Sequence, residues 1–237
     1  MVVYHGSRSG GFSVFDDTLG NKQSDAPKGT TFFSKDFDVA RTYSGTYHEV
    51  EFDDEIKNSQ REIAKKEGWY DENWEDDYDI ESNRKAGNYP VFLNIREPYE
   101  EDFDGANWDG DATGKYELID EDGIRVYDNK GHFLFDSEEE AEAEAERQGL
   151  ENYEINNDVW IGHTTNSVAR EIGKYNDGAI IYNVIDDGSK GGYNGETTIY
   201  VTGSPTQIKS ATDNVGKFSG ESNSLGIGKM TLKTLLK

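Results

Sequence analysis

Residues 177–218 read DGAIIYNVIDDGSKGGYNGETTIYVTGSPTQIKSATDNVGKF, and this stretch restricts the possible folds more than any other. An apolar β-branched run at 179–182 leads into a Gly-, Asp- and Ser-rich loop at 186–195, and a second run follows at 197–201. Two such runs joined by a long loop predict strands that edge a cleft. A lone glutamate, Glu196, stands at the loop's exit, and Pro205 marks a turn before the polar Gln207-Ile208-Lys209-Ser210. The opening of the chain supplies the other half of the argument: a short strand, Val2-Val3-Tyr4, runs straight into His5-Gly6-Ser7.

The 237 residues suit one generous domain, or one domain carrying an insertion. An aromatic content of 12% argues for a packed chain despite a hydrophobic fraction of only 33%. With no cysteine, disulfide frameworks and thiolate metal sites are excluded. No apolar run reaches membrane-spanning length and no signal-peptide pattern opens the chain, so a soluble, cytoplasmic protein is expected. The net charge of −24 argues against generic nucleic-acid binding, which needs clustered Lys and Arg. Its acids gather in two blocks, 71–81 and 136–146, as a solvated surface would carry them. Arg8, Arg41, Lys174 and Lys209 are the cations available to a negatively charged ligand.

Along the chain, 30–33 reads as a strand. Ser34 is a candidate N-cap for a short helix bearing Phe37, Ala40 and Tyr43 at helical spacing. A strand is expected at 47–52, a charged helix at 56–68, a strand at 89–95 ended by Pro98, and a polar loop at 100–114. Residues 116–155 read as an inserted small unit. There 124–127 and 132–135 flank the hairpin turn Asp128-Asn129-Lys130-Gly131. Ser137 and Glu140 then form a capping box for the helix EEEAEAEAERQ, which stops at Gly149, and 153–155 is a third strand. A second short helix is expected at 167–173, and the chain closes on an amphipathic MTLKTLLK.

Several residues have a chemical as well as a structural reading. A strand-end His5 is ordinarily structural; beside Gly6, which allows close backbone approach to a planar carboxamide, the imidazole can donate to a ribose hydroxyl. Tyr43 is ordinarily core, or else a ring for stacking. Glu196 is one acid among many, or a carboxylate that stabilises an oxocarbenium-like centre. The histidines (His5, His48, His132, His163) lack zinc spacing, no nucleotide-binding glycine fingerprint occurs, and Ser7 and Ser9 have no triad partners. Asp102, Asp104, Asp109 and Asp111 suggest calcium only loosely, without the helix-loop-helix context.

Together VYHGS, the stretch from Gly29 through Phe32-Phe33-Ser34 to Tyr43, VFLNIREP at 91–98, DGAII at 177–181 and YVTGSPTQIKSATDNVGKF at 200–218 resemble the ADP-ribosyltransferase domains of phage and mobile-element polyvalent proteins. That branch is related to the diphtheria-toxin and poly(ADP-ribose) polymerase group. The matching segments keep the family's order and cover about half the chain. The resemblance implies an α+β fold with a split β-sheet, into which the ββα unit at 116–155 is inserted. It also implies NAD as co-substrate, bound by His5, Gly6, Ser7, Arg8, Phe32, Phe33, Tyr43 and Gln207, and catalysis by His5, Tyr43 and Glu196. Here His5 holds the nicotinamide-side ribose, the Gly6 backbone the carboxamide, and Tyr43 stacks on the ring with Phe32 or Phe33 behind it. In the related toxins and polymerases the glutamate begins the strand leading to the final segment. A gap-free alignment on Tyr200 puts Ile199 near that place, so Glu196 serves if a bulge or loop offset brings it in.

The activity so implied is mono-ADP-ribosyl transfer to a macromolecule of a bacterial host, with release of nicotinamide and no metal. Two alternatives stand beside it: a degenerate transferase fold acting as an acidic protein-binding or inhibitor module, and an acidic nucleic-acid mimic.

Overall fold

The computed structural model describes residues 1–7, 14–15, 26–44, 87–173, 175–186, 188 and 195–212. The elements expected at 47–52 and 56–68 and the amphipathic tail lie outside these residues.

Strand β1 (Val3–Ser7) pairs antiparallel with β3 (Gly87–Leu93) along its whole length, from Val3↔Val91 to Ser7↔Gly87. It meets β2 (Thr31–Ser34) at one register position only, Tyr4↔Ser34. β2 then pairs with β9 (Glu196–Thr202), β9 with β8 (Gly178–Ile185), and β8, in parallel, with β4 (Pro98–Asp102). With β10 (Ile208–Ser210) on the far side of β3, the seven-stranded order is β10-β3-β1-β2-β9-β8-β4.

This sheet is rolled. Five strand-to-strand steps separate β3 from β4, about 24 Å if the sheet were flat. The chain covers that gap between Leu93 and Pro98, where five residues reach at most about 18 Å. The closure is visible in bonds: Gln207 Nε2 donates both to the Asn94 carbonyl at the end of β3 (3.2 Å) and to the Asp177 carbonyl ahead of β8 (2.7 Å). The Asp177 carboxylate accepts from the main-chain N–H groups of Arg96 and Glu97 (3.0 and 2.9 Å).

Period-2 alternation sends side chains to two faces. On one face Val3, Phe15, Phe33, Val91 and Ile208 form a core with Tyr89, Leu93 and Tyr200 against it. On the other, Ile181, Ile199 and Val201 pack with Val39 of helix α1 (Phe37–Ser44) and Val168 of α3 (Thr165–Ala169). Burial of each large side chain contributes roughly 1.5–3 kcal/mol.

A second, antiparallel sheet has the order β6-β5-β7, from β6 (Leu134–Phe135), β5 (Asp111–Asp120) and β7 (Tyr153–Trp160). Helix α2 (Glu138–Gln148) covers it through Ala141 and Ala145, over Leu118, Val126 and Phe135. The Ser137 hydroxyl caps the Glu140 N–H at 3.2 Å and Gly149 ends the helix at φ 72°, as expected, but the return half of the capping box shifts by one residue, the Glu140 carboxylate accepting from Asp136 N. Ala112, Phe133, Leu134 and Val159 reach from this sheet into the main core, so the two sheets share it.

Three expectations change. The 100–114 stretch is no plain loop: it holds the end of β4 and the start of β5, because Phe103 and Ala106 are fully buried and β4 gains a parallel partner that local sequence cannot announce. Residues 124–127 form no strand beyond one bridge, Ile119↔Arg125. The Asp128–Gly131 turn does form, its carboxylate accepting from Lys130 N and His132 N, but the long strand that pairs with β6 and β7 is β5. The second short helix starts at Thr165, capped by Thr164, where 167 was expected.

Candidate active site

The single rung between β1 and β2 sets up the site. Lys35 N–H donates to the Thr198 carbonyl (2.9 Å), so Lys35 directs its backbone polar groups at β9. Alternation then turns those of Ser34 and Phe32 toward β1, and those of Tyr4 and Gly6 toward β2. Gly6 opposite Phe32 is the next rung in line, and the register stops before it. At that point His5 Nδ1 donates to the Phe32 carbonyl at 2.9 Å. A carbonyl only accepts, so Nδ1 carries the proton and Nε2 is the acceptor nitrogen of the neutral ring. The sequence expectation is an imidazole that donates to a ribose hydroxyl; in the structure the Nδ1 proton goes to the Phe32 carbonyl.

His5 is enclosed by aromatic rings, with Phe15 at 5.0 Å, Phe33 at 5.6 Å and Tyr89 at 6.5 Å between centroids. Burial lowers its pKa below the ordinary imidazole value, opposed in part by the bond to Phe32. The ring is therefore held neutral.

Gly6 is required by packing. A Cβ there would stand 1.7 Å from the Ala40 carbonyl oxygen and 3.0 Å from Ser44 N, so the last turn of α1 lies directly on the strand. That turn also carries Tyr43, a residue 42% exposed whose hydroxyl donates to Asp186 Oδ1 at 2.5 Å. The start of α1 is held separately: Thr197 Oγ1 donates to Asp36 (2.6 Å) and contacts Ser34 Oγ (3.0 Å). Ser34 Oγ accepts from Asp36 N, a turn contact one residue ahead of the helix.

The structure brings Gly6 and Phe32 to the side of α1, whose last turn bears Tyr43, while the His5 ring lies among Phe15, Phe33 and Tyr89 on the other face of the sheet. Ser7 closes β1 opposite Gly87, and Arg8 and Lys174 lie outside the described residues. Phe33 does not stand behind Tyr43: it is 1% exposed and faces, with His5, the side away from α1, leaving Phe32 on the α1 side. Gln207 is a second correction. Its amide oxygen accepts from Gly203 N and Ser204 N, and its nitrogen donates to Asn94 and Asp177, so its bonding capacity closes the rolled sheet.

Glu196 shares His5's face of the sheet but not its row. His5 stands level with Phe33 and Tyr200, and Glu196 lies four residues before Tyr200, about 13 Å along the strand. The bulge in this region falls on β8, where Asn183 has φ 50° and the register shifts between Ile181 and Val184. β9 therefore runs straight through Glu196, whose carboxylate lies beside Gly105, as does Lys115 Nζ.

Two contributors went unread in the sequence. Phe15 left no signal; Asp186, a buried carboxylate, is marked only as the first residue of the Gly-, Asp- and Ser-rich stretch that follows Ile185. Asp102, Asp109 and Asp111 hold N–H or hydroxyl groups two residues away, and Asp104 accepts from the N–H groups of Phe133 and Leu134 at the start of β6. Among the described residues no group of three His, Asp or Glu side chains is placed to hold a metal, and no helix is long and apolar enough to cross a membrane.

A family model described as ADP-ribosyltransferase in polyvalent proteins matches residues 42–218. The match contains Tyr43, Asp177, Glu196 and Gln207, and begins after His5-Gly6-Ser7 and Phe32-Phe33. No curated protein and no solved structure matches the chain. Since the matched span is well over half of the 237 residues, the chain belongs to the family of ADP-ribosyltransferase domains found in polyvalent proteins.

Proposed function

We propose that this protein binds NAD⁺ where the β1–β2 ladder opens and transfers ADP-ribose to an acceptor, releasing nicotinamide. The observation that carries this reading is the His5–Phe32 bond at the rung where the register stops. It leaves the Gly6 N–H and carbonyl directed into the opening as an adjacent donor and acceptor, the complement of a planar carboxamide. His5 Nε2 accepts from a hydroxyl of the nicotinamide ribose, and Tyr43 stacks on the ring. The bond from the anomeric carbon to the nicotinamide nitrogen breaks with its electron pair leaving on nicotinamide. The oxocarbenium-like centre is then attacked by the acceptor nucleophile. Rate enhancement comes from positioning and from a carboxylate, for which Glu196 is the candidate. We place this activity in a phage or mobile element acting on a bacterial host macromolecule, most simply a protein, in the host cytoplasm.

The test is nicotinamide release from NAD⁺ by the purified protein, alone and with bacterial lysate. His5→Ala and Tyr43→Ala are expected to lower it by about a hundredfold. No release from folded protein under either condition would overturn the reading. The row offset of Glu196 favours one alternative in that event, a catalytically degenerate fold whose acidic surface binds a basic host protein. Release by wild type that Glu196→Gln leaves intact would instead remove Glu196 alone from the catalytic set.

A further inference from the structure

We propose that Asp186 is a positioning residue, its carboxylate fixing the Tyr43 ring at the angle needed for nicotinamide to stack; this rests on the NAD⁺ reading above. Asp186 follows the last residue of β8 and is 5% exposed, too deeply set for a carboxylate without donors. Its Oδ1 accepts from the Tyr43 hydroxyl at 2.5 Å and faces Gly188 N at 3.5 Å. Gly188 is fitted to the same helix end. Its φ is 61°, and a Cβ there would stand 2.4 Å from Thr42 Oγ1 and 2.9 Å from Tyr43 N. Thr42 Oγ1 in turn donates to the Val39 carbonyl at 2.6 Å.

The last turn of α1 is thereby clasped from two sides, by Gly6 beneath and by Asp186 and Gly188 at Tyr43. A tyrosine ring turns about two side-chain torsions, and a hydrogen bond at its far end removes most of that freedom while the exposed face stays accessible. The carboxylate acts through the ring and touches no reacting atom.

The experiment compares Asp186→Ala, Asp186→Asn, Tyr43→Phe and the Asp186→Ala/Tyr43→Phe pair in nicotinamide-release kinetics. The signal of the Tyr43 ring is followed alongside in ¹³C-tyrosine-labelled protein. The expected result is a KM for NAD⁺ about tenfold higher in Asp186→Ala and in Tyr43→Phe, with kcat changed less than about twofold. The pair should be no worse than either single change, and Asp186→Asn, which keeps an acceptor oxygen, should recover most of the loss. The ring signal should be averaged in Asp186→Ala and ordered in wild type. Additive losses, an Asp186→Asn variant as impaired as Asp186→Ala, or an unchanged ring signal would each overturn the positioning role while NAD⁺ cleavage by wild type stands. A wild type that neither binds nor cleaves NAD⁺ would overturn the NAD⁺ reading, and the stacking role with it, even with a ring signal that depends on Asp186.

Discussion

Gln207 Nε2 donates to the main-chain carbonyl of Asp177 at 2.7 Å, joining a residue at the entry of β10 to one ahead of β8. Those strands stand five places apart in the sheet order. The bond therefore closes a roll, and two of the most recognisable stretches of the sequence, DGAII and TQIKS, meet at the closure.

Gln207→Glu should destabilise the fold by about 3 kcal/mol, because it removes two donors and sets a carboxylate against two carbonyl oxygens. Nicotinamide release per folded molecule should change little. Urea denaturation beside kinetics corrected for the folded fraction checks both. A large loss of turnover in fully folded protein would restore Gln207 to ligand binding.

Stability should depend on pH through His5. The unfolded chain takes up a proton near the ordinary imidazole value of about 6.5, and the folded chain only at lower pH. Unfolding then binds the extra proton, so stability is full above about pH 6.5 and falls as pH drops through that value toward the lowered one. Denaturation between pH 7.5 and 5.5 should show the decline in wild type and a flatter profile in His5→Asn.

Gly6→Ala should cost about 3 kcal/mol or more, since the added methyl would meet the Ala40 carbonyl at 1.7 Å and the helix backbone cannot give way cheaply. Loss of thermal stability together with weaker NAD⁺ binding is the expected pattern. A variant of unchanged melting temperature would mean that α1 does not rest on β1.

Thr197→Val keeps the shape of a buried side chain and removes the bonds to Asp36 and Ser34. A loss of about 1–2 kcal/mol is expected, with faster amide exchange in the first turn of α1.

The local order of this chain is written into its residues. Short apolar, β-branched runs place β1, β8 and β9; Ser137 and Gly149 fix the ends of α2, because caps act within a few residues of themselves. The His5-Gly6 pair and Tyr43 also stand out as candidates, each having a chemistry its neighbours lack. Pairing in space is different. That Phe33 turns to the core while Phe32 offers its carbonyl to His5, that Gln207 closes a sheet, and that Glu196 stands a row away from His5 all depend on register between distant strands. A shift of one residue in such a register reverses every side chain's face, and no local propensity records it. Composition and spacing thus decide which segments become strands and helices; the roll of the sheet, set by packing on both faces, decides which of their side chains meet.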